Sequence, residues 1–143
     1  MLYNETNKGV SHTVNKGLSY ASGEYIVLLG SDDYFYTDEL LKFMELLNGY
    51  DLVYFDLRVN DGNILHLDNL SKNGLCGSVK AMRKDFIKGI KNDENIKSGE
   101  DYYFNKELQK RNPKELFSNL VVKHYNFPRE GSLYDLKKKG LIK

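Results

Sequence analysis

Apolar side chains recur through residues 10–22, VSHTVNKGLSYAS, at Val10, Val14, Leu18 and Ala21. Spacings of three and four place them on one stripe of a helix, and Gly23 suits its C-terminal cap. The pattern then changes. Tyr25 to Leu29 is an unbroken apolar run, as expected for a short strand covered on both faces in a parallel α/β sheet, and it stops at Gly30-Ser31-Asp32-Asp33. Thr37-Asp38-Glu39 opens a second helix, with Leu40, Leu41, Met44 and Leu47 facing inward and Asn48-Gly49 closing it.

Residues 51–59, DLVYFDLRV, and the following ILHL are separated by Asn60-Asp61-Gly62-Asn63, a strong hairpin signal. GSVKAMR, residues 77–83, reads as another short strand leading into a helical turn over Asp85 to Ile90. Asn92 to Gly99 is polar and reads as a loop. A helix from about Glu100 to Arg111 follows, with Tyr103, Phe104 and Leu108 inward, and Asn112-Pro113 ends it. Leu120 to Tyr125 is the last strand, and the tail over 135–143 is basic and short. This order of helices and strands predicts a mixed α/β fold in one domain over 1–143.

Composition narrows the function classes. Among 143 residues, 21 Lys and Arg face 20 Asp and Glu, for a net charge of +1. A general nucleic-acid binder needs a basic excess, so none is expected as a partner. The single cysteine, Cys76, cannot pair within the chain. That points to a reducing, cytoplasmic compartment. No run approaches the roughly 20 apolar residues of a membrane span, and the polar first residues do not read as a signal peptide. Eleven Tyr, seven Phe and no Trp favour half-buried rings with their hydroxyls in water.

Two carboxylate motifs are candidates for chemistry. In open α/β sheets ligands sit beyond the carboxyl ends of strands, which is where Asp32 and Asp33 fall. A hard cation such as Mn²⁺ or Mg²⁺ prefers carboxylate oxygens and keeps positions open for phosphate. The plainer reading is a solvated loop or an acidic cap for the helix near Thr37. Ser98-Gly99-Glu100-Asp101 likewise has two readings. It matches a capping box, or Asp101 is a general base facing a cleft.

The stretch from Asn7 to Phe35, NKGVSHTVNKGLSYASGEYIVLLGSDDYF, resembles the central signature of family 2 glycosyltransferases with the GT-A fold. Asn7, Gly9, Asn15, Gly17, Ala21, Gly23, Glu24, Tyr25, Ile26, Asp32 and Asp33 match in order and spacing. GEDYYFNKELQKR resembles the family's Glu-Asp motif at a helix start, and HYNFPREGSLY its closing segment. The resemblance implies a GT-A-like mixed sheet flanked by helices. It implies transfer of a sugar from a nucleotide-diphosphate sugar, most readily a UDP-sugar, to a glycan or lipid-linked acceptor.

On the same grounds Asp101 is the implied catalytic base, inverting the anomeric carbon. Asp32 and Asp33, with His124 nearby, are the implied holders of Mn²⁺ or Mg²⁺. Asn7, Gly9, Asn15, Gly30, Ser31, Glu100 and Ser132 are the implied substrate contacts. Two departures stand out: Gly30 replaces the family's first Asp, and Val14 replaces its Arg. The family also begins with a strand, helix and strand that bind uracil and ribose, and no such segment precedes Met1. The expectation is therefore an N-terminally truncated member, with a second copy or a partner chain covering the remaining half. The alternative is a non-catalytic binding or assembly module. LKKKGLIK adds an expectation of peripheral contact with anionic lipid, against a solvated tail as the plainer reading.

Overall fold

The computed structural model of the chain describes residues 2–68, 77–96 and 98–142. Cys76 and Lys97 lie outside the described residues. The elements run α1 (Val10–Tyr20), β1 (Tyr25–Val27), β2 (Tyr34–Phe35), α2 (Thr37–Met44), β3 (Leu52–Val59) and β4 (Ile64–Leu65). A 3₁₀ turn (Gly77–Val79), β5 (Lys80–Arg83), α3 (Lys84–Ile87), α4 (Glu100–Lys110), β6 (Glu115–Tyr125) and α5 (Leu133–Lys138) complete them. The fold is mixed α/β, as expected, with a mixed sheet flanked by helices.

The strands form one sheet in the order β1-β5-β3-β6-β2, with β4 hairpinned onto β3. β3 is the centre. Leu52 to Leu57 are all buried, because β5 pairs with it on one side and β6 on the other, and both faces are covered. The hairpin forms as the Asp-Gly signal requires, with Leu57 opposite Leu65. Its turn uses Gly62 at φ 87°, where a side chain would be strained. Asp56 is fully buried on β3, yet it accepts from the Leu67 N–H at 2.8 Å and pairs with His66 Nδ1 at 2.6 Å. Its lone pairs are thereby satisfied.

Three elements differ from expectation in what they bury. The apolar run at β1 is not a strand covered on both sides: among the described residues β1 is a sheet edge that pairs antiparallel with β5 alone, and it is half-buried, while Leu29 is exposed. On α2 the buried residue is Phe43, which meets Phe55 edge-on at 5.2 Å. Leu40 and Leu47 complete that stripe, so Leu41 and Met44 face outward. On α4, Phe104 and Leu108 are buried as expected, whereas Tyr103 is exposed. β6 begins five residues before the predicted Leu120. Among the described residues no helix is long and apolar enough to cross a membrane.

β6 sets up the site. A register irregularity opposite Tyr54–Leu57 bends it, with Asn119 at φ 56°, a left-handed conformation that Asn tolerates better than most residues. Beyond the bend, Lys123 pairs with Leu57 and His124 with Arg58. Successive strand residues point to opposite faces, so Lys123 and His124 serve different sides of the sheet.

Candidate active site

The loop after β1 folds back on itself, with the Asp33 N–H donating to the Gly30 carbonyl at 3.2 Å. A Cβ at Gly30 would lie 3.0 Å from Asp33 Oδ2 and 3.3 Å from Asp32 Oδ1. Glycine there lets both carboxylates turn in toward the loop.

The two carboxylates have different fates. Asp33 is 4% exposed and meets the fully buried ammonium of Lys123 at 3.2 Å. It also accepts the Asn126 N–H at 3.0 Å, and Lys123 donates onward to Ser78 Oγ at 2.8 Å. Asp32 is at the surface. Its Oδ2 pairs with the Arg129 guanidinium, itself 52% exposed, and accepts from Asn126 Nδ2 at 3.3 Å. Partial desolvation pushes the Asp32 pKa up. The loop's backbone hydrogen bond, Arg129 and Asn126 together outweigh it and hold the carboxyl below its ordinary value. Asp32 is therefore a carboxylate throughout the neutral range.

On the other side of β6, His124 stacks on Tyr34 with ring centroids 4.8 Å apart. Its Nδ1 lies 3.1 Å from the Tyr36 hydroxyl and its Nε2 2.9 Å from Asn60 Oδ1. Asn60 Nδ2 donates to Asn126 Oδ1 at 2.8 Å and to the Pro128 carbonyl at 3.2 Å. Asn60 Oδ1 is thus the acceptor facing His124, which puts the proton on Nε2 and leaves Nδ1 to accept from Tyr36. A single chain of donors runs from Tyr36 through His124, Asn60 and Asn126 to Asp32.

Asp101 lies in the first turn of α4. The helix is capped by Gly99 at φ 85°, and no side chain makes a capping hydrogen bond. The capping-box reading of Ser98 and Asp101 therefore has no counterpart in the structure. Half-buried Asp101 makes no side-chain hydrogen bond to any described residue. One turn further on, Asn105 is buried and its Oδ1 accepts from the buried ammonium of Lys80 at 2.7 Å. α4 also packs on the 3₁₀ turn that carries Ser78. That turn, which accepts from Lys123, links the helix of Asp101 to the Asp33 ion pair.

A family model described as "Glycosyl transferase family 2" matches residues 1–117. The chain belongs to glycosyl transferase family 2. None of the curated proteins matches it. Among solved structures, S. aureus TarS 1-349 in complex with UDP-GlcNAc aligns with a TM-score of 0.74 at 22% identity, over 90% of this chain and 42% of that one. TarS 1-349 in complex with UDP aligns at 0.68 and 20% identity, over 86% and 42%. A longer TarS chain aligns at 0.72 and 20% identity, over 86% and 25%. The GT-A-like fold is shared, and this member of the family spans less than half the length of those structures.

The other residues that the family signature singles out have local roles. Asn7 Oδ1 accepts the Gly9 N–H at 2.9 Å, and Gly9 at φ 85° forms the N-cap of α1. Asn15 clamps the loop before α4: it donates to the Asn92 carbonyl at 2.9 Å and to Glu94 Oε1 at 3.1 Å, and accepts the Asn92 N–H at 2.8 Å. Ser132 caps α5, its hydroxyl accepting the Asp135 N–H at 3.2 Å. Val14, at the family's Arg position, is half-buried, Ser31 is exposed and Glu100 is half-buried. Sequence reasoning missed Lys123, Asn126, Arg129 and Asn60. Their one signal was Lys123, a lone charge inside the apolar strand LVVKHY.

Among the described residues no three His, Cys, Asp or Glu side chains gather to hold a metal. Asp32 nonetheless offers a hard, ionised oxygen at the surface. Mg²⁺-type ions are held by one or two carboxylates with substrate phosphates and water supplying the rest, so the donor set fits a cation that arrives with a diphosphate. Asp33 and His124 would first have to leave Lys123, and Tyr36 or Asn60, respectively.

Proposed function

We propose that this family 2 member transfers a sugar from a nucleotide-diphosphate sugar to an acceptor hydroxyl, with inversion at the anomeric carbon. The observation that carries the proposal is the asymmetry of the carboxylate pair. Asp33 is locked into the fold, and Asp32 is held at the surface by exchangeable partners beyond the carboxyl end of β1. The UDP and UDP-GlcNAc complexes of the structurally similar TarS support a UDP-sugar as donor.

In this reading Asp32 holds Mn²⁺ or Mg²⁺, which would neutralise charge building on the departing diphosphate. Asp33, through Lys123 and the Asn126 N–H, fixes the loop from which Asp32 projects. Asp101 takes the proton from the attacking hydroxyl as the bond to the anomeric carbon forms and the bond to the diphosphate oxygen breaks. Asp101 suits this because its carboxylate has no side-chain hydrogen bond to a described residue to give up. The acceptor is a glycan or a lipid-linked molecule.

A second reading, a non-catalytic binding module, is favoured by Gly30. A side chain there would crowd both carboxylates, so the loop is built without the family's first Asp. Calorimetric titration of UDP and of UDP- and GDP-sugars, with Mn²⁺ and then with EDTA, tests the proposal. UDP binding that requires Mn²⁺ and is lost in Asp32→Ala is the expected result. Absence of binding under every condition would overturn it.

A further inference from the structure

The contrast between the two ion pairs gives Arg129 a role of its own. Lys123 and Asp33 are 0% and 4% exposed, with further bonds to Ser78 and Asn126. Exchanging either partner would strand a buried charge. Arg129 and Asp32 are 52% and 35% exposed, where ion pairs are weak and readily exchanged. Arg129 belongs to the turn after β6, closed by the Ser132 N–H donating to the Arg129 carbonyl at 3.2 Å. The turn thus fixes the Arg129 backbone independently of the ion pair.

We infer that Arg129 is an exchangeable diphosphate-binding residue, one that neutralises Asp32 in the free protein and moves onto the phosphates when a metal takes the carboxylate. The inference rests on the reading of the site as a nucleotide-sugar site. The charges motivate it. Asp32 and Asp33 carry two negative charges, and Lys123 and Arg129 two positive. A divalent cation arriving alone must compete with Arg129 for Asp32. A diphosphate arriving alone meets two carboxylates whose cations are already engaged. Arriving together, the cation binds Asp32 and releases the guanidinium, whose planar fork of donors matches phosphate oxygens. Arg129 thus makes metal and diphosphate each favour the other, a coupling that is reciprocal by linkage. Asn126 follows the same exchange, since its Nδ2 bonds Asp32 while its Oδ1 is fixed by Asn60.

The test titrates Mn²⁺ alone, UDP in EDTA, and UDP in saturating Mn²⁺ into the unmodified chain, Arg129→Gln and Arg129→Lys, with circular dichroism as a check on folding. Arg129→Gln should bind Mn²⁺ alone more tightly, by up to about fivefold, because an exposed competing ion pair is gone. The same variant should bind UDP with Mn²⁺ more weakly, by about ten- to a hundredfold, for loss of a charged hydrogen bond. Arg129→Lys should fall between them. A merely structural role would move both affinities the same way. Unchanged UDP affinity in Arg129→Gln, or weaker Mn²⁺ binding, would overturn the inference. A chain that binds UDP under no condition before any substitution would overturn the underlying reading instead, which is a distinguishable result.

Discussion

Replacing Asp101 with asparagine is expected to slow sugar transfer by about 10²–10⁴-fold, the usual contribution of a positioned general base, while UDP affinity stays unchanged. Asparagine keeps the shape and loses the basic oxygen. The structure makes this a clean substitution. α4 is capped by the Gly99 backbone with no side-chain cap, so removing the charge costs only its favourable interaction with the helix dipole, about 0.3–1 kcal/mol. A stability loss within that range, beside the large rate loss, separates a base from a cap. If the rate is unchanged, Asp101 is not the base. Steady-state release of UDP from the preferred donor measures the rate, and urea unfolding measures the stability.

Lys123→Met is expected to destabilise the fold by about 3–5 kcal/mol, because it leaves the Asp33 carboxylate buried without its cation. The ammonium also donates to Ser78 Oγ and lies 5.6 Å from the centre of the Tyr125 ring, so its loss loosens the 3₁₀ turn beside α4. Removing both charges in Lys123→Met with Asp33→Leu should recover most of the loss, since a buried pair exchanged for apolar side chains is often neutral. The Asn126 N–H, deprived of its acceptor, sets the remainder. The urea midpoint at constant slope gives both numbers. A single substitution that costs less than about 1 kcal/mol, as exposed pairs do, would show that the pair is not buried in solution.

Much of the fold was legible because the signals were local. The Asp-Gly turn fixed the hairpin, and Asn112-Pro113 ended α4 at Lys110. Misreadings came where neighbours decide. Tyr25 to Leu29 reads as a central strand by composition, but among the described residues β1 pairs with β5 alone, which makes it an edge. On α2, Leu40, Leu41, Met44 and Leu47 form a plausible stripe. Phe43 forms a competing one, and its ring fits against Phe55, so the helix turns that way.

The site divides similarly. Asp32, Asp33 and Asp101 were singled out by their motifs together with the family resemblance. Their partners were not, since Lys123 and Arg129 are 90 and 97 residues away from the aspartates they pair with and only the bent β6 brings them back. The capping-box spacing at Ser98 was real but unused, because Gly99 in a left-handed conformation caps the helix first.

The most direct test of the site is paramagnetic broadening of amide resonances by Mn²⁺ in the ¹⁵N-labelled chain, with UDP present. Broadening that begins at residues 30–33 and 126–129, saturates, and disappears in Asp32→Ala is the result expected if Asp32 holds the metal of a nucleotide-sugar site. Broadening centred on other acidic loops, such as Asp93-Glu94, and unaffected by Asp32→Ala would contradict it.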